Sequence, residues 1–375
     1  MARLDQICIL NMGQSPDSSS YNEIGEGVPF FQGNADFGKV HPKVRVWCSA
    51  PTKIARSGDV LISVRAPIGA LNIADRECCI GRGLAALTVN ETLCNKDYLW
   101  YAITSKVDEL NSKGTGSTFK AISKNVLAET DIPLPCLPEQ LKMAEKLAKV
   151  DELISLRKEQ LAKLDQLVKS RFIELFGDVI RNSKAWQMRV FADVASSRLG
   201  KMLDTKQQTG KCSYPYLANF NVQWFRFNIE NLNQMDFDED DRAEFELKDD
   251  DLLVCEGGEI GRCAVWHNEI QPCFFQKALH RVRCNRQIIH PDYLAWWFKY
   301  NCDHGGFAAI AGAKATIAHL PGVKLKQLQV AVPPLELQEQ FAAFVEQTKK
   351  SKLAIQQSLD KLELLKKALM QEYFG

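Results

Sequence analysis

Ile132-Pro-Leu-Pro-Cys-Leu-Pro-Glu-Gln140 opens the stretch that decides this fold, and Arg171-Phe-Ile-Glu-Leu-Phe-Gly177 closes it. The stretch occurs twice. A gapless shift of 198 positions lays Pro135, Leu137, Gln140, Ala144, Leu161, Leu164, Glu174, Phe176 and Gly177 onto Pro333, Leu335, Gln338, Ala342, Leu359, Leu362, Glu372, Phe374 and Gly375. In each copy prolines mark where a helix can begin: Pro133, Pro135 and Pro138 in the first, Pro333 and Pro334 in the second. Beyond them neither copy holds Pro or Gly before its terminal Gly, so nothing interrupts the helical period. About forty residues at ~1.5 Å each predict a rod of roughly 60 Å, far longer than an average globular helix.

The apolar spacing says what these rods do. Leu147, Ile154, Leu161, Val168 and Leu175 recur every seven residues, with Val150 and Leu164 three residues after members of that series. That is a coiled-coil seam. Arg157 and Arg171 interrupt it, and their counterparts in the second copy are Ile355 and Leu369; conversely Lys352 and Lys366 stand where the first copy has Ile154 and Val168. Each seam is imperfect where its repeat is good, which favours pairing between the copies over self-pairing. The predicted helix-pair interface is Leu147, Ile154, Leu161, Leu164 and Val168 against Ile355, Leu359, Leu362 and Leu369.

The remainder repeats too, with looser fidelity. Residues 1–131 read as a mixed module of short strands: Val28–Phe31, Asp59–Val64, a turn at Arg65–Gly69, Ala70–Ile73, and a helix near Asp97–Ala102. Residues 179–329 answer it. Tyr214–Leu217 matches Val28–Phe31 at an offset of 186, Asp251–Cys255 matches Asp59–Ser63 at 192, and Asp292–Leu294 matches Asp97–Leu99 at 195. The offset grows in one direction only, as expected of one ancestral unit with small loop insertions. The predicted fold class is therefore α+β: two mixed α/β modules (1–131 and 179–329) separated by helical spacers (132–178 and 330–375) that pair antiparallel as a coiled coil, with internal pseudo-twofold symmetry.

Composition narrows the function. The 375 residues include 46% hydrophobic ones, enough for real cores, and a formal net charge of +1 excludes a global polycation without excluding local basic faces. No apolar run has signal-peptide or membrane-span length. Twelve cysteines without a Cys-x-x-Cys predict reduced thiols in a cytoplasmic protein, and the six histidines are too scattered for a metal site. The run Asp236–Asp241 reads as a solvated acidic loop. Searches for chemistry fail: there is no Gly-x-x-x-x-Gly-Lys-Ser/Thr, no His-Glu-x-x-His, no Gly-x-Ser-x-Gly and no Asn-Pro-Pro-aromatic motif. Glu256-Gly-Gly-Glu-Ile-Gly261 looks like a phosphate loop in outline but aligns with Val64–Gly69, so a hairpin turn accounts for both. Asp204-Thr-Lys206 and Glu246-Leu-Lys248 match only fragments of a nuclease motif. The expectation is a non-catalytic chain without metal.

What remains suits reading DNA. Polar and basic residues cluster in Gly-containing turns: Gln14, Gln32, Asn34, Arg65, Arg82, Lys113 and Lys120 in the first module. In the second they are Lys201, Asn219, Asn221, Gln223, Arg226, Arg262, Lys277, Arg281 and Lys314. Arg or Lys to guanine, Asn or Gln to adenine and Lys to phosphate are the apt pairings. Each also has a plain solvated-surface reading.

Several motifs carry a family resemblance. The proline boxes with Glu139-Gln140 and Pro333-Pro-Leu-Glu-Leu-Gln-Glu-Gln-Phe-Ala342, the run Val150–Lys158, and Arg171–Asp178 resemble the two helical regions of the specificity subunit of type I restriction-modification systems. Ser63-Val-Arg-Ala-Pro-Ile-Gly69, Cys79–Leu87 and Gly116–Lys124 resemble one class of its target-recognition domains. The resemblance runs end to end. It implies that each target-recognition domain reads one half of a split double-stranded DNA sequence, that the helices set the gap, and that half-sites read from one face lie near one helical turn apart, about 34–36 Å. It also implies two modification (methyltransferase) subunits carrying S-adenosylmethionine and a restriction/translocase subunit using ATP with Mg, with no cofactor bound by this chain. The charged outer helix faces, with Lys142, Lys146, Lys149, Glu152 and Lys158, would meet the modification subunits. Two other readings stay open: the specificity subunit of a methyltransferase lacking a restriction partner, and a coiled-coil interaction scaffold without DNA recognition.

Overall fold

A computed structural model describes residues 1–116, 120–204, 208–308 and 319–375. The predicted site residue Lys314 lies outside the described residues, as do parts of the Gly116–Lys124 and Asp204–Lys206 motifs. Instead of four consecutive segments, contacts divide the chain into two compact units: Met1–Glu159 with Gln356–Gly375, and Gln160–Ile355. Each unit takes a portion of both long helices.

Each long helix forms as its sequence dictates. The first is Leu137–Phe176 and the second Leu335–Phe374, forty residues apiece. Pro138 sits in the first turn, where its missing N–H has no intrahelical partner to lose, and Pro334 immediately precedes the second helix. Gly177, at φ +70°, ends the first helix, its N–H bonding the Ile173 carbonyl at 2.8 Å. The left-handed conformation there favours glycine. Lys184 Nζ and Trp186 Nε1 donate to the last carbonyls of the same helix.

In the first unit the early part of the first helix packs antiparallel against the end of the second. Lys158 pairs with Glu363 at 2.8 Å, Arg157 donates to Ser358 at 3.2 Å and Lys366 pairs with Asp151 at 2.6 Å, the second helix rising in number as the first falls. In the second unit Lys352 pairs with Asp165, and Phe172 meets Phe341 with ring centroids 5.5 Å apart. Every predicted interface position is buried or half-buried, including Leu147, Ile154, Leu161, Leu164, Val168, Ile355, Leu359, Leu362 and Leu369. Three of the four cations that interrupt the seams find oxygen partners on the opposite helix, Lys366 and Lys352 on carboxylates and Arg157 on a hydroxyl, whereas Arg171 pairs with Glu174 of its own helix at 2.8 Å.

The modules share the strand order of their four-stranded sheet and differ in their second sheet, which has five strands in the first unit and three in the second unit among the described residues. In the first unit a four-stranded antiparallel sheet has the order Cys8–Met12, Leu84–Val89, Val60–Ser63, Leu71–Ile73. The second unit has Ala195–Leu199, Leu279–Cys284, Leu252–Cys255, Cys263–Val265 in the same order. Beside it a second sheet contains the parallel pair of each unit: Phe31 opposite Ile80, and Leu217 opposite Phe275. The 256–262 segment joins two antiparallel strands, so it is the hairpin turn that the repeat predicts. One expectation fails. The acidic run is not a solvated loop, since Asp238 caps the helix Glu239–Phe245 by accepting from Asp241 N at 2.8 Å. Asp236 accepts from the Gly210 N–H at 2.8 Å and from the Thr209 hydroxyl at 2.8 Å. These bonds, the Thr209 hydroxyl's first, hold the Asp236 carboxyl below its usual pKa, and the Asp241 N–H does the same for Asp238. Donors at a helix N-terminus and in a tight turn favour carboxylates.

One buried amide locks each helix to its module. Gln140 accepts from Asn95 N at 2.8 Å and donates to the carbonyls of Leu93 and Pro135 at 3.0 and 2.8 Å. Gln338 accepts from His290 N at 2.8 Å and donates to Ile288 and Pro333 at 3.1 and 2.8 Å. Both side chains are fully buried, so each bond answers a group that water cannot reach. Tyr98 and Tyr293 repeat the device, donating to Pro133 and Ala331 at 2.8 and 2.6 Å. No helix of the described residues is long and apolar enough to cross a membrane.

Candidate nucleic-acid interface

In the first unit the parallel pair of strands builds the site. Phe31 and Ile80 end their strands side by side, Gly81 N–H bonding the Phe31 carbonyl at 2.8 Å. The next residues, Gln32-Gly33 and Gly81-Arg82-Gly83, leave the sheet together. A Cβ on Gly83 would stand 2.4 Å from the Gln32 carbonyl oxygen, and one on Gly13 2.2 Å from that of Gly81. Only glycine permits these approaches, and the packed backbone leaves Arg82 as the exposed side chain of its Gly-Arg-Gly run. The strand Val60–Ser63 of the four-stranded sheet ends alongside, and Val64 N–H bonds the Gly83 carbonyl at 2.9 Å, which brings Arg65 to the same edge.

Gln32, Asn34, Arg65 and Arg82 thereby line one open cavity of about 340 Å³. Gln14 joins them through its N–H to Ile80 at 3.0 Å, and Lys120 through its carbonyl to Ala66 N at 3.0 Å. All are exposed except half-buried Asn34. Lys113, though exposed, is ion-paired with Glu109 at 2.6 Å. The sequence does not mark Asp36, yet it shapes this edge. Its carboxylate accepts from Gln32 N at 2.8 Å, closing the turn Asn34–Asp36, and pairs with Arg45 at 2.7 Å, which offsets its charge beside the two arginines.

The second unit rebuilds this edge with other side chains. Lys201 N–H bonds Phe275 as Gln14 N–H bonds Ile80, and Glu256 N–H bonds Ala278 as Val64 N–H bonds Gly83. These matches put Lys201 at the place of Gln14, Lys277 at that of Arg82 and Gly257 at that of Arg65. Asn221 stands where Asp36 does, accepting from Ala218 N at 2.8 Å. Lys277 and Arg226 are exposed and Gln223 is half-buried. Lys201 is bound to Asp241 and to the Asp236 carbonyl. Asn219 and Arg262 hold each other at 2.6 Å, with Asn219 also donating to Gly257 at 2.9 Å. Two predicted residues stand elsewhere. Asn221 is 1% exposed, and its amide also donates to the Asn228 carbonyl at 2.9 Å. Arg281 is 9% exposed, lies over the Phe275 ring and donates to the Glu244 and Glu246 carbonyls. In both, the structure replaces a base-contact reading with an internal support, because a buried donor already satisfied cannot also reach a groove.

A family model described as the type I restriction modification DNA specificity domain matches residues 1–166 and again residues 183–364. The chain belongs to this specificity family. Three Methanocaldococcus jannaschii specificity subunits of type I restriction enzymes match over 35%, 25% and 28% of their own lengths. The chain is 44% identical to the one named MjaX over 149 residues, 40% of its own length. It is 20% identical to the Escherichia coli EcoBI specificity subunit over 383 aligned positions, 92% of this chain and 78% of that one. The crystal structure of the S subunit from M. genitalium shares the fold, with TM-score 0.63 at 15% identity, covering 100% of this chain and 95% of that one. Both halves of the specificity-family chain thus carry the matched domain.

Proposed function

We propose that this chain is the sequence-reading subunit of a type I restriction-modification complex, each module reading one half of a bipartite double-stranded DNA target. The observation that carries the reading is the edge where Gln32, Asn34, Arg65 and Arg82 meet around one cavity. Two guanidinium groups and two carboxamides are the side chains best matched to guanine and adenine edges in the major groove. The same edge recurs in the second unit with a changed set of side chains, which suits two different half-sites on one frame.

In this reading the long helices set the spacer and dock two modification subunits. Exposed leucines support the docking: Leu153, Leu156, Leu364 and Leu365 in the first unit are 41, 46, 69 and 45% exposed, and Leu353 in the second is 62% exposed. Apolar side chains left in water along a helix face suit a partner that covers them. S-adenosylmethionine belongs to those partners, ATP with Mg to a restriction subunit, and the chain itself holds no cofactor and does no chemistry. Near-zero net charge fits an assembly in which partners supply part of the phosphate attraction.

Methylome sequencing of cells expressing the chain with its modification subunits tests the reading. A split motif is expected, and Arg82→Ala should relax one base position in one half by about 1–3 kcal/mol of discrimination. A contiguous motif, or none, would overturn it.

A further inference from the structure

The turn Asn34–Asp36 of the first unit and the turn Asn219–Asn221 of the second occupy the same place, each following the strand that pairs in parallel at the edge of its interface. Their middle residues differ: Ala35 lines the cavity in the first unit, and Phe220 stands at that place in the second. Phe220 is 55% exposed. The two side chains that flank it are tied down. Asn221 is buried with both ends of its amide bonded, and Asn219 is held by Gly257 and Arg262. Gln223 Nε2 further fixes the turn by donating to the Phe220 carbonyl at 2.9 Å. Phe220 stands outside the neighbouring core formed by Leu217, Ala218 and Val222. A rigid turn therefore holds a phenyl ring in water, which forgoes the burial that favours such a residue inside.

We infer that Phe220 is a specificity-determining residue of the second half-site, its ring covering the 5-methyl group of a thymine in the major groove. The inference rests on the DNA-reading function proposed above. Apolar contact is how a protein distinguishes the thymine methyl, the one apolar feature a base pair offers in that groove. A ring on a braced support reads it without ordering a loop at the moment of binding. The first unit, with Ala35 at this place, presents only a methyl group and reads through Arg65 and Arg82. The two half-sites should then differ in kind, one dominated by hydrogen bonds and the other including an apolar contact.

The test uses the full chain assembled with its modification subunits and duplexes carrying the methylated motif. Each thymine of the second half-site is replaced in turn by deoxyuridine, which removes only the 5-methyl group. One replacement should weaken binding roughly fourfold, the factor for about 0.8 kcal/mol per methyl group buried. With Phe220→Ala that replacement should have no further effect, while the other half-site stays unchanged. Phe220→Leu should keep part of the sensitivity. A second half-site without thymine, or uridine sensitivity that survives Phe220→Ala, overturns the inference. So does Phe220→Ala weakening binding with no uridine effect in the unaltered complex, the pattern of a ring stacked between bases. If the unaltered complex methylates no split motif, it is the DNA-reading function that has failed, and that outcome is read before any variant is made.

Discussion

The two units agree where the chain holds itself together and diverge where it faces outward. Gln140 and Gln338 make the same three hydrogen bonds, and Tyr98 and Tyr293 reach the same carbonyl position, across a repeat whose modules share little sequence. At the interface edge the same backbone bonds carry Gln14, Arg65 and Arg82 in one unit and Lys201, Gly257 and Lys277 in the other. Groups that lose water on folding must be answered within the chain, and few side chains can answer them. Groups at the edge answer to what binds there. The difference between the units is therefore a map of what is structural and what is recognitive.

The comparison breaks first at the aromatic cores. Phe172 touches Phe176, Tyr293, Trp296, Tyr300 and Phe341 with centroids 5.0–6.2 Å away, whereas its repeat counterpart Met370 is half-buried. Phe172→Ala should cost about 3–5 kcal/mol, and Met370→Ala clearly less, by denaturant unfolding followed in each unit. Equal losses would show the cores to be interchangeable. The shared locks sharpen it. Gln140→Ala and Gln338→Ala should each cost about 1–3 kcal/mol, since each removes a fully buried amide and leaves its three partner groups without their hydrogen bonds. Hydrogen exchange should show the loss confined to the mutated unit and similar in both; a silent variant in either would mean the lock is not shared.

Acid should separate the units. His280 is buried, its Nε2–H donating to the Leu320 carbonyl at 3.0 Å, and its counterpart is Ala85. Burial lowers the imidazole pKa, outweighing the carbonyl bond that raises it. The folded state thus prefers neutral histidine, and this contribution is complete above the ordinary pKa of about 6.5 and is lost as pH falls below it toward the lowered value. Between pH 7.5 and 5.5 amide protection should fall in the second unit with a component that His280→Ala removes; a fall untouched by that variant would locate the titration elsewhere. The smallest effect belongs to the seam. Lys352→Ala and Lys366→Ala should each change stability by about 0–1 kcal/mol, because the Asp165 and Asp151 pairs are partly in water. A larger loss would make those pairs central to helix pairing.

The parts legible in the sequence were those with a period or a repeat. The seam followed from its seven-residue spacing, both helix starts from their prolines, the end of the first helix from Gly177, and the strands Val28–Phe31 and Asp59–Val64, the latter observed as Val60–Ser63, from short strand-like runs beside turn residues. Gln140 and Gln338 were marked as shared positions, but nothing in a linear string says that an amide will be buried against a loop 45 residues away. The edge residues were legible by type, and their burial was not. Asn221 and Arg281 resemble Asn34 and Arg82 in composition of their surroundings, and only the fold shows that one closes a turn and the other braces an acidic helix. Asp236–Asp241 misled because charge suggests solvation, whereas here a lysine and helix-end donors gather it in.

Phe374 seats on Tyr98 at 5.3 Å and Phe176 on Tyr293 at 4.7 Å, so each repeat's helix contributes the ring that closes the other repeat's module. A polypeptide severed after Gly177 would keep its own Tyr98 uncapped while carrying, in Phe176, the counterpart of the missing cap. Two such fragments hold complementary ends, and reciprocal exchange between them is the arrangement from which one continuous gene product with unlike halves could descend.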